Sequence, residues 1–356
     1  MFSSTRDVSS PPMPTAKTKR MFFADTTRTM SPAAFLKLTV GVAIGLASLI
    51  VVVNITLDIY GLFRSAEGRD LPVYHNERVA KYLMSYRYIP ENFNTIVIGT
   101  SLSANLNLSS YFDGTDFRVY NASVMGANVS ELTPILKNCL DGGVRNVILC
   151  VSPYMIKNSG GKEVELNEKL YYSALGSKNL IETYVVAGLR YFNVLPSKYP
   201  KGQIDGNGVN RFESFYSGGS VEEKIQLVLR KEGNENFALD EKAVNELKNL
   251  FLMLEEKNVQ YLVYFHPVPV EFYQGKREQY ESFERKVKAL LPDESRLINL
   301  NDSQYSFFTD NHTNYIDHGH LSPQGARTIS KILSDRLQHG AGQYASRVVD
   351  NGSSTD

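Results

Sequence analysis

Three side chains in two short stretches of this sequence are of the types that carry out nucleophilic acyl chemistry. Ser101 lies in TIVIGTSLS, and Asp317 and His320 lie far downstream in YIDHGHLSPQG. A serine hydroxyl is a weak nucleophile until a base takes its proton, and a histidine oriented by a carboxylate is a suitable base. The three residues therefore indicate attack on an acyl group, provided that folding brings the two stretches together.

The first stretch has the pattern of a strand that ends at a binding edge. The apolar run Thr95–Ile98 predicts a strand buried on both faces, as in a parallel sheet. Gly99 permits a tight turn, and Ser101 then follows at the carboxyl end of the strand, where open α/β sheets bind their ligands. The alternative interpretation is that Ser101 only caps a following helix.

The second stretch leads into a helix. Ser322 has the residue type of an N-cap, and Pro323 suits the first helical position. Asp317 and His320 therefore fall in the preceding loop, from which a histidine can reach a serine on a neighbouring loop. The alternative is a solvated loop in which both residues make only turn contacts. The apolar stripe of the predicted helix comprises Ala326, Ile329, Leu333 and Leu337.

A metal site is a further alternative for the same region, since imidazole and carboxylate groups are good zinc ligands. The spacing of the histidines and acids in this region matches no recognised zinc pattern, and a metal site would leave Ser101 without a role. We therefore favour the serine, histidine and acid set and predict no metal and no cofactor. The crowded residues are Asp310, His312, Asp317, His318 and His320.

Taken together, the two stretches resemble the SGNH or GDSL hydrolase superfamily, which has a Gly-Asp-Ser-like block after its first strand and Asp-x-x-His near its end. The resemblance implies that Ser101 is the nucleophile, His320 the base and Asp317 the acid. It also implies an oxyanion hole formed by the N–H groups of Ser101 and of Gly126 in VYNASVMGAN.

The sequence departs from this family in two places. Thr100 replaces the Asp of Gly-Asp-Ser, and the third block, usually Gly-x-Asn-Asp, is absent. The corresponding strand end reads VILCVSPYMIKN, where Ser152, Tyr154 and Asn158 are candidate substitutes among which the sequence does not decide. The loss of one oxyanion donor can cost roughly 2.7–4 kcal/mol of transition-state stabilisation, so a replacement donor matters for the rate.

His266 is a further candidate pocket residue. It follows the predicted strand that ends at Phe265, and it therefore lies at the same sheet edge as Ser101. The alternative is a loop residue with satisfied contacts, since Pro267 favours a rigid turn.

The resemblance is greatest to the membrane-anchored SGNH-like proteins of bacterial envelopes, relatives of the alginate O-acetylation and teichoic-acid D-alanylation proteins. The pattern of Asn54, Asp58, Tyr60 and Gly61 also resembles that subgroup. The resemblance implies an acylated glycan or acyl donor as substrate and other envelope acyl-transfer proteins as partners.

The segment Leu38–Leu57 contains no charged residue, and about 20 apolar residues cross the roughly 30 Å hydrocarbon layer as a helix. We predict a retained transmembrane helix over residues 35–60, with a buried helix or a cleaved signal peptide as alternatives. Basic residues are denser before this segment than after it, which predicts a cytoplasmic N-terminus and a periplasmic domain on the inner membrane.

The rest of the chain alternates strands and helices, which predicts an α/β fold with a doubly wound, flavodoxin-like parallel sheet. We expect disordered tails at 1–34 and 339–356, a linker at 61–89, and a domain at 90–338 with an insertion or lid at 155–239. The predicted strands are Thr95–Ile98, Asn146–Val151, Gln260–Phe265 and Arg296–Leu300, and the clearest helices are Ser130–Leu140, capped by Ser130, and Asp240–Lys257, capped by Asp240.

Three groups of residues receive more specific expectations. The linker residues His75, Glu77, Arg78 and Lys81 have the pattern of a solvated helix face. The insertion residues Tyr171, Tyr172, Tyr191 and Phe192 either stack on a sugar or belong to the core. Cys139 and Cys150 are expected to be buried and unpaired.

The charge balance excludes one class of partner. The 38 Lys and Arg residues equal the 38 Asp and Glu residues, so nucleic acid is not expected as a partner. The sequence thus predicts a membrane-anchored esterase or O-acyltransferase that acts on acyl esters of an envelope polysaccharide. The alternative is a catalytically degenerate domain that binds a glycan or scaffolds an envelope complex.

Overall fold

The computed structural model describes the chain at residues 30–112, 114–157, 165–195, 204–211, 218–232 and 239–351, without the side chains of Glu232 and residues 339–351. The chain divides into two compact units, residues 1–48 and 49–356. The candidate residue Asn158 and most of the predicted 1–34 tail lie outside the described residues.

The second unit contains a mixed arrangement of helices and short strands. The strands are β1 (Thr95–Ile98), β2 (Val119–Asn121), β3 (Asn146–Val151), β4 (Gln260–Phe265) and β5 (Leu297–Asn299). The helices of the described chain are α1 (Pro32–Leu57), α2 (Glu77–Met84), α3 (Tyr88–Asn92), α4 (Val129–Asp141), α5 (Pro153–Ile156), α6 (Lys169–Ser173), α7 (Lys178–Tyr191), α8 (Val221–Glu232), α9 (Glu241–Glu256), α10 (Val270–Gly275), α11 (Arg277–Lys288), α12 (Ser306–Thr309) and α13 (Pro323–Asn351).

The five strands form one parallel sheet in the order β2-β1-β3-β4-β5. The α/β class is confirmed, and β1, β3 and β4 have the bounds that their apolar runs predicted. The strand β5 is shorter than the predicted Arg296–Leu300. Because all strands are parallel, their carboxyl ends share one edge, and every loop that follows a strand begins there.

Side chains of the central strands alternate between two apolar clusters, as the two faces of a pleated sheet require. Ile96 and Ile98 belong to a cluster with residues of α2, α4 and α9. Val97 and Ile148 belong to a second cluster with residues of α13. Helices therefore flank the sheet, and its central strands are buried on both faces as expected.

The capping residues predicted for three helices are correct for two of them. Ser130 does not cap α4, because Asn128 does so: its side chain accepts from Glu131 N at 3.1 Å while Glu131 Oε2 accepts from Asn128 N at 3.1 Å. Asp240 caps α9 as predicted. Ser322 accepts from Gly325 N at 3.1 Å at the start of α13. That helix continues to Asn351, beyond the expected domain end at residue 338.

The helix α1 has 26 residues and an 18-residue window with a mean hydropathy of 2.4, so it is long and apolar enough to span a membrane. The chain turns sharply after it. Asp58 accepts from Leu62 N at 2.7 Å and Arg64 N at 3.0 Å, and Gly61 has a φ of +63°. Asn54 donates to Leu175 O at 2.5 Å. The Asn54 to Gly61 pattern therefore builds a turn that joins this helix to the domain.

The linker helix α2 does not present a solvated face, so that expectation was wrong. Lys81 is fully buried, and the side chains of Glu77 and Arg78 are 11% and 13% exposed. The charges are paired instead of hydrated, since Lys81 lies 3.2 Å from Glu77 and Arg78 donates to Glu131 at 3.0 Å. The linker is thus part of the folded unit.

The two cysteines are free and buried, as predicted. Cys139 lies in α4 and packs in the first apolar cluster, whereas Cys150 lies in β3 and packs in the second. Burial raises the pKa of both thiols above its ordinary value, so both behave as apolar residues.

Candidate active site

The loop after β1 presents Ser101 in a series of tight turns. A Cβ on Gly99 would lie 2.5 Å from Ser103 Oγ and 2.6 Å from Cys150 Cβ, so only glycine allows this close approach to β3. Ser103 N donates to Thr100 O at 3.2 Å and Ala104 N donates to Ser101 O at 3.3 Å. These turns continue to residue 105 without a helix, so the alternative that Ser101 caps a helix is wrong.

The loop before α13 presents Asp317 and His320. Asp317 Oδ1 accepts from Gly319 N at 2.9 Å and from His320 N at 2.7 Å, which forms a compact turn around the carboxylate. Ile316 N donates to His320 O at 2.9 Å, and this closes the loop. A Cβ on Gly325 would lie 2.0 Å from Asn314 O, so glycine allows the first turn of α13 to pack directly on the loop.

The fold brings the three predicted catalytic side chains together. His320 Nδ1 lies 2.8 Å from Asp317 Oδ2, and His320 Nε2 lies 3.0 Å from Ser101 Oγ. A carboxylate only accepts, so Nδ1 carries the proton and donates to Asp317. The Ser101 hydroxyl then donates to Nε2. This tautomer is the one that general-base activation of a serine requires.

The Asp317 carboxylate is held in its charged form. Its side chain is 9% exposed, and this burial raises the pKa. The hydrogen bonds and charge of His320 and the two backbone N–H donors outweigh burial and lower the pKa to about 2. Asp317 therefore stays ionised over the whole neutral range and can stabilise an imidazolium at His320.

Side-chain hydrogen bonds hold the two loops against each other. Asn105, from the serine loop, donates to Leu321 O at 2.8 Å. On the other side, His266 Nε2 donates to Gly319 O at 2.7 Å. The backbone of His266 is itself fixed, because Asn301 donates to its carbonyl at 3.0 Å. The Ser101 to His320 contact is thus supported from both sides.

His266 is a buried, neutral imidazole. Burial lowers its pKa to about 3, although the hydrogen bond to Gly319 acts in the opposite direction. Because a carbonyl only accepts, Nε2 carries the proton and Nδ1 keeps a lone pair. That Nδ1 is buried without a hydrogen-bond partner among the described residues. His266 also lines the adjacent space.

The adjacent space is a cavity of about 390 Å³ that begins at the triad. Its polar end includes Ser101, His320, Ser152 and His266. The rest of its wall is mostly apolar and aromatic, and includes Val151, Phe265, Val268, Phe272, Tyr280 and Phe283. The site thus combines a reactive centre with an apolar recess, as ligand sites commonly do.

The polar residues of the cavity follow the order of the strands. Val151 pairs with Phe265 across β3 and β4, so Ser152 and His266 are the next residues on neighbouring strands. Ser101 follows β1, which is the other neighbour of β3. Ser152 therefore stands between the serine and His266, and its hydroxyl is buried without a partner among the described side chains and backbone groups.

The structure places two of the remaining candidate residues, Tyr154 and Gly126, in the lining of the cavity. Tyr154 lines the cavity through the short helix α5, and Asn158 lies outside the described residues. Gly126 lines the cavity with a φ of +65°, a backbone conformation that suits glycine. Within the described chain, neither Ser101 N nor Gly126 N donates to another group, so both N–H groups are available to a ligand.

The linker helix α2 holds the loop that carries Gly126. Glu77 Oε2 accepts from Met125 N at 3.0 Å, and Lys81 donates to Ser123 O at 2.5 Å and to Gly208 O at 3.1 Å. Burial lowers the pKa of Lys81, and the charge of Glu77 opposes this change. A buried ion pair thus fixes the backbone on either side of Val124.

The residues of the alternative metal site make separate contacts. His312 contacts Glu222 and Glu271, His318 packs its ring on Phe272, and His320 contacts Asp317 and Ser101. In the described part of the chain, no group of three or more His, Cys, Asp or Glu residues is arranged to hold a metal ion.

One helix of the insertion packs against the wall of the cavity. Of its described residues, none lines the cavity, and this includes Tyr171, Tyr172, Tyr191 and Phe192. Ile225 of α8 instead packs against Val268 and Phe272 of the cavity wall. The covering role expected for residues 155–239 stays a prediction.

Sequence reasoning missed Asn105, Asn301 and Lys81, which orient the site without reacting in it. Asn301 follows β5 as Ser152 and His266 follow their strands, so its position at a strand end was a usable signal. Asn105 and Lys81 gave no such signal, because their partners are backbone carbonyls distant in the chain.

Comparisons with known proteins leave the site to be judged on its own geometry. No family model matches the chain, and no curated protein matches it. Among solved structures, the chain is similar to one described as "a putative platelet activating factor from Streptococcus pneumonia", with a TM-score of 0.40 and 15% identity. The alignment covers 73% of this chain and 91% of that chain. A likeness at this level carries no argument about fold or chemistry.

We expect Lys81→Met to lower the free energy of unfolding by about 3–5 kcal/mol, because it leaves the Glu77 carboxylate without its buried cation. Urea unfolding of the full chain in detergent measures the change. Lys137→Met is the matched control, since Lys137 pairs with Asp141 on the surface and should contribute at most about 1 kcal/mol. Equal losses for the two variants would contradict the buried-pair interpretation.

The stability contributed by His312 should depend on pH. The hydrogen bond to Glu271 is the largest cause that raises the pKa of His312, Glu222 adds to it, and burial opposes both. A raised folded-state pKa stabilises the fold fully below the unfolded value of about 6.5, and this stabilisation is lost as the pH rises through the folded value. His312→Gln should therefore destabilise the protein more at about pH 6 than at about pH 9.

Urea unfolding at the two pH values measures this difference. Glu271→Gln removes the main partner and should reproduce the same pH dependence. A His312→Gln effect of the same size at both pH values would show that protonation of this histidine does not contribute to stability.

Proposed function

We propose that this chain is a membrane-anchored serine hydrolase or O-acyltransferase of the SGNH type, acting on acyl esters. One observation carries the proposal: Ser101 Oγ, His320 and Asp317 form a continuous hydrogen-bonded series with contacts of 3.0 and 2.8 Å. The series opens onto an apolar cavity at the carboxyl edge of a parallel sheet. The strand order 2-1-3-4-5 is that of doubly wound, flavodoxin-like sheets, which supports the proposed SGNH arrangement.

In the first half-reaction, Ser101 Oγ attacks the carbonyl carbon of the ester while His320 Nε2 takes the hydroxyl proton. Asp317 stabilises the resulting imidazolium through Nδ1–H. The tetrahedral intermediate collapses when the bond to the alcohol oxygen breaks and His320 gives its proton to that oxygen. The alcohol leaves, and the acyl group stays on Ser101.

In the second half-reaction, His320 takes a proton from water or from an acceptor hydroxyl, whose oxygen attacks the acyl-enzyme. Collapse of the second intermediate returns the proton from His320 to Ser101 Oγ. Water gives a carboxylic acid and makes the chain an esterase. A sugar hydroxyl gives a new ester and makes it an O-acyltransferase.

The developing oxyanion needs donors, and we propose the N–H groups of Ser101 and Gly126 together with the hydroxyl of Ser152. Ser152 replaces the missing asparagine of the third family block, because it lines the cavity, its hydroxyl has no partner among the described residues, and it directly follows β3, the strand next to β1. Preorganised donors of this kind are usually the largest electrostatic contribution to acyl transfer.

The proposed membrane anchor supports an envelope substrate. We propose that α1 is retained as a single-pass anchor in the inner membrane, with the N-terminus in the cytoplasm and the domain in the periplasm, as the distribution of basic residues favours. An acyl ester of an envelope polysaccharide is then within reach, and other envelope acyl-transfer proteins are the proposed partners.

Ser101→Ala should lower kcat/KM for a p-nitrophenyl ester by roughly four to six orders of magnitude, because the nucleophile is lost. A fluorophosphonate probe should label the wild-type chain and leave Ser101→Ala unlabelled. Ser110→Ala is the matched control, since Ser110 is an exposed serine of the same segment, and it should behave as wild type.

The same experiment separates the proposal from a degenerate domain that only binds a glycan. A degenerate domain predicts no labelling and no turnover in the wild type. Turnover that persists in a purified Ser101→Ala chain would show that the triad assignment is wrong.

The apolar recess predicts a preference for acyl chains longer than acetyl. Each buried methylene contributes about 0.8 kcal/mol, which corresponds to about fourfold in kcat/KM. We expect kcat/KM to rise along p-nitrophenyl esters from acetate to hexanoate. Val268→Trp fills the recess and should lower the ratio of hexanoate to acetate activity, whereas Leu252→Trp on the exposed surface of α9 should not. A constant ratio across the variants would exclude acyl binding in this recess.

A further inference from the structure

Large apolar side chains are exposed along one short stretch of the described chain. We define the α7 face as the exposed residues Tyr172, Ile181, Val185, Tyr191, Phe192 and Val194. In the described chain after α1, the large apolar residues that are exposed elsewhere are Leu227, Leu252 and Phe307, and these are scattered. Scattered exposed residues are normal, whereas a contiguous apolar patch marks a surface that meets another phase or partner.

The helix α7 carries large apolar side chains on its exposed side, which is unusual for a helix at a water-exposed surface. Leu180, Thr183 and Arg190 are buried on its inner side. Ile181, Val185 and Phe192 recur at helical spacing on its outer side, where a solvated helix would carry charges. The exposed side thus combines these apolar residues with the Lys178 and Glu182 ion pair, a mixture that suits an interface between lipid and water.

The α7 face adjoins the end of α1. Leu175, just before α7, accepts from Asn54 at 2.5 Å, and a Cβ on Gly176 would lie 3.5 Å from Ile50 Cγ2. Thr183 Oγ1 lies 3.1 Å from Tyr60 OH in the turn after α1. Residues 49–57 belong to the same compact unit as α7 and expose a run of apolar side chains of their own. The segment that carries the α7 face thus contacts the apolar end of α1.

We propose that the α7 face binds the membrane interface beside the anchor, so that the domain is held against the lipid surface. This rests on the proposed retention of α1 in the bilayer, and it is independent of the proposed reaction. The lipid that covers the end of α1 is the phase nearest to the α7 face. Tyrosine and phenylalanine at this level suit the boundary between headgroups and acyl chains, where amphipathic helices lie in the plane of the membrane.

The two native cysteines permit a direct test on the full chain. Cys139 and Cys150 are buried, so an introduced surface cysteine reacts selectively with a polarity-sensitive fluorophore. We would label Ile181→Cys, Val185→Cys and Phe192→Cys in the chain reconstituted into vesicles of phosphatidylethanolamine and phosphatidylglycerol. Leu227→Cys and Leu252→Cys are matched controls, because both positions are exposed and apolar but lie outside the α7 face.

Labels on the α7 face should emit at shorter wavelength than the control labels, be quenched by nitroxide lipids and resist aqueous iodide. Quenching by iodide equal to that of the controls would overturn the proposal. Protection that appears only at high protein-to-lipid ratio, with self-quenching between copies, would also overturn it in favour of a second copy of the chain.

A label at Leu46→Cys within α1 separates the two possible failures. If nitroxide lipids quench that label while the α7 labels stay aqueous, the anchor stands and the α7 proposal fails. If the Leu46→Cys label is itself aqueous, the anchor fails and the α7 proposal fails with it. Enzymatic turnover of Ser101 is measured separately and bears on neither outcome.

Discussion

The candidate site depends on one imidazole that must face two oxygens at the same time. His320 can donate to Asp317 and accept from Ser101 only while the serine loop and the histidine loop keep a fixed separation. A displacement of about 1 Å can cost a hundredfold in rate, so the loops need support that their own turns do not give. Asn105 and His266 supply it by binding the backbone of the histidine loop on either side of His320. The parallel sheet makes this arrangement possible, because the loops that carry Asn105 and His266 both begin at the carboxyl ends of its strands.

Much of this arrangement follows from local sequence patterns. Continuous apolar runs follow the first residues of β1, β3 and β4, which are Thr95, Asn146 and Gln260, and such runs are typical of strands buried on both faces. The amino-acid sequence is enough to pair Ser101 with His320, since a glycine turn after a parallel strand and a loop before a capped helix both open at the same edge. Chemistry that needs a serine, a histidine and an acid at one site restricts the choice further.

What the sequence did not reveal depends on contacts between distant segments. The charges of α2 have the spacing of a solvated face, yet Lys81 is buried because residues near Gly208 and Ser123 close over it. Asn128 and Ser130 are both good caps, and only the reciprocal bonds with Glu131 decide between them. The aromatic residues of the insertion were assigned either to a sugar or to the core. Tyr191 and Phe192 do not belong to the core, because both are exposed at the end of α7, and contact with a sugar stays a prediction.

Ser152 and His266 line the cavity, and each carries a buried polar atom. The Ser152 hydroxyl and His266 Nδ1 are buried and have no partner among the described residues, and an unsatisfied buried polar group costs about 1–3 kcal/mol. The two atoms differ in what they offer, since Ser152 can donate whereas the neutral His266 can only accept at Nδ1. In the proposed reaction, an oxyanion accepts from the Ser152 hydroxyl and a substrate hydroxyl donates to His266 Nδ1.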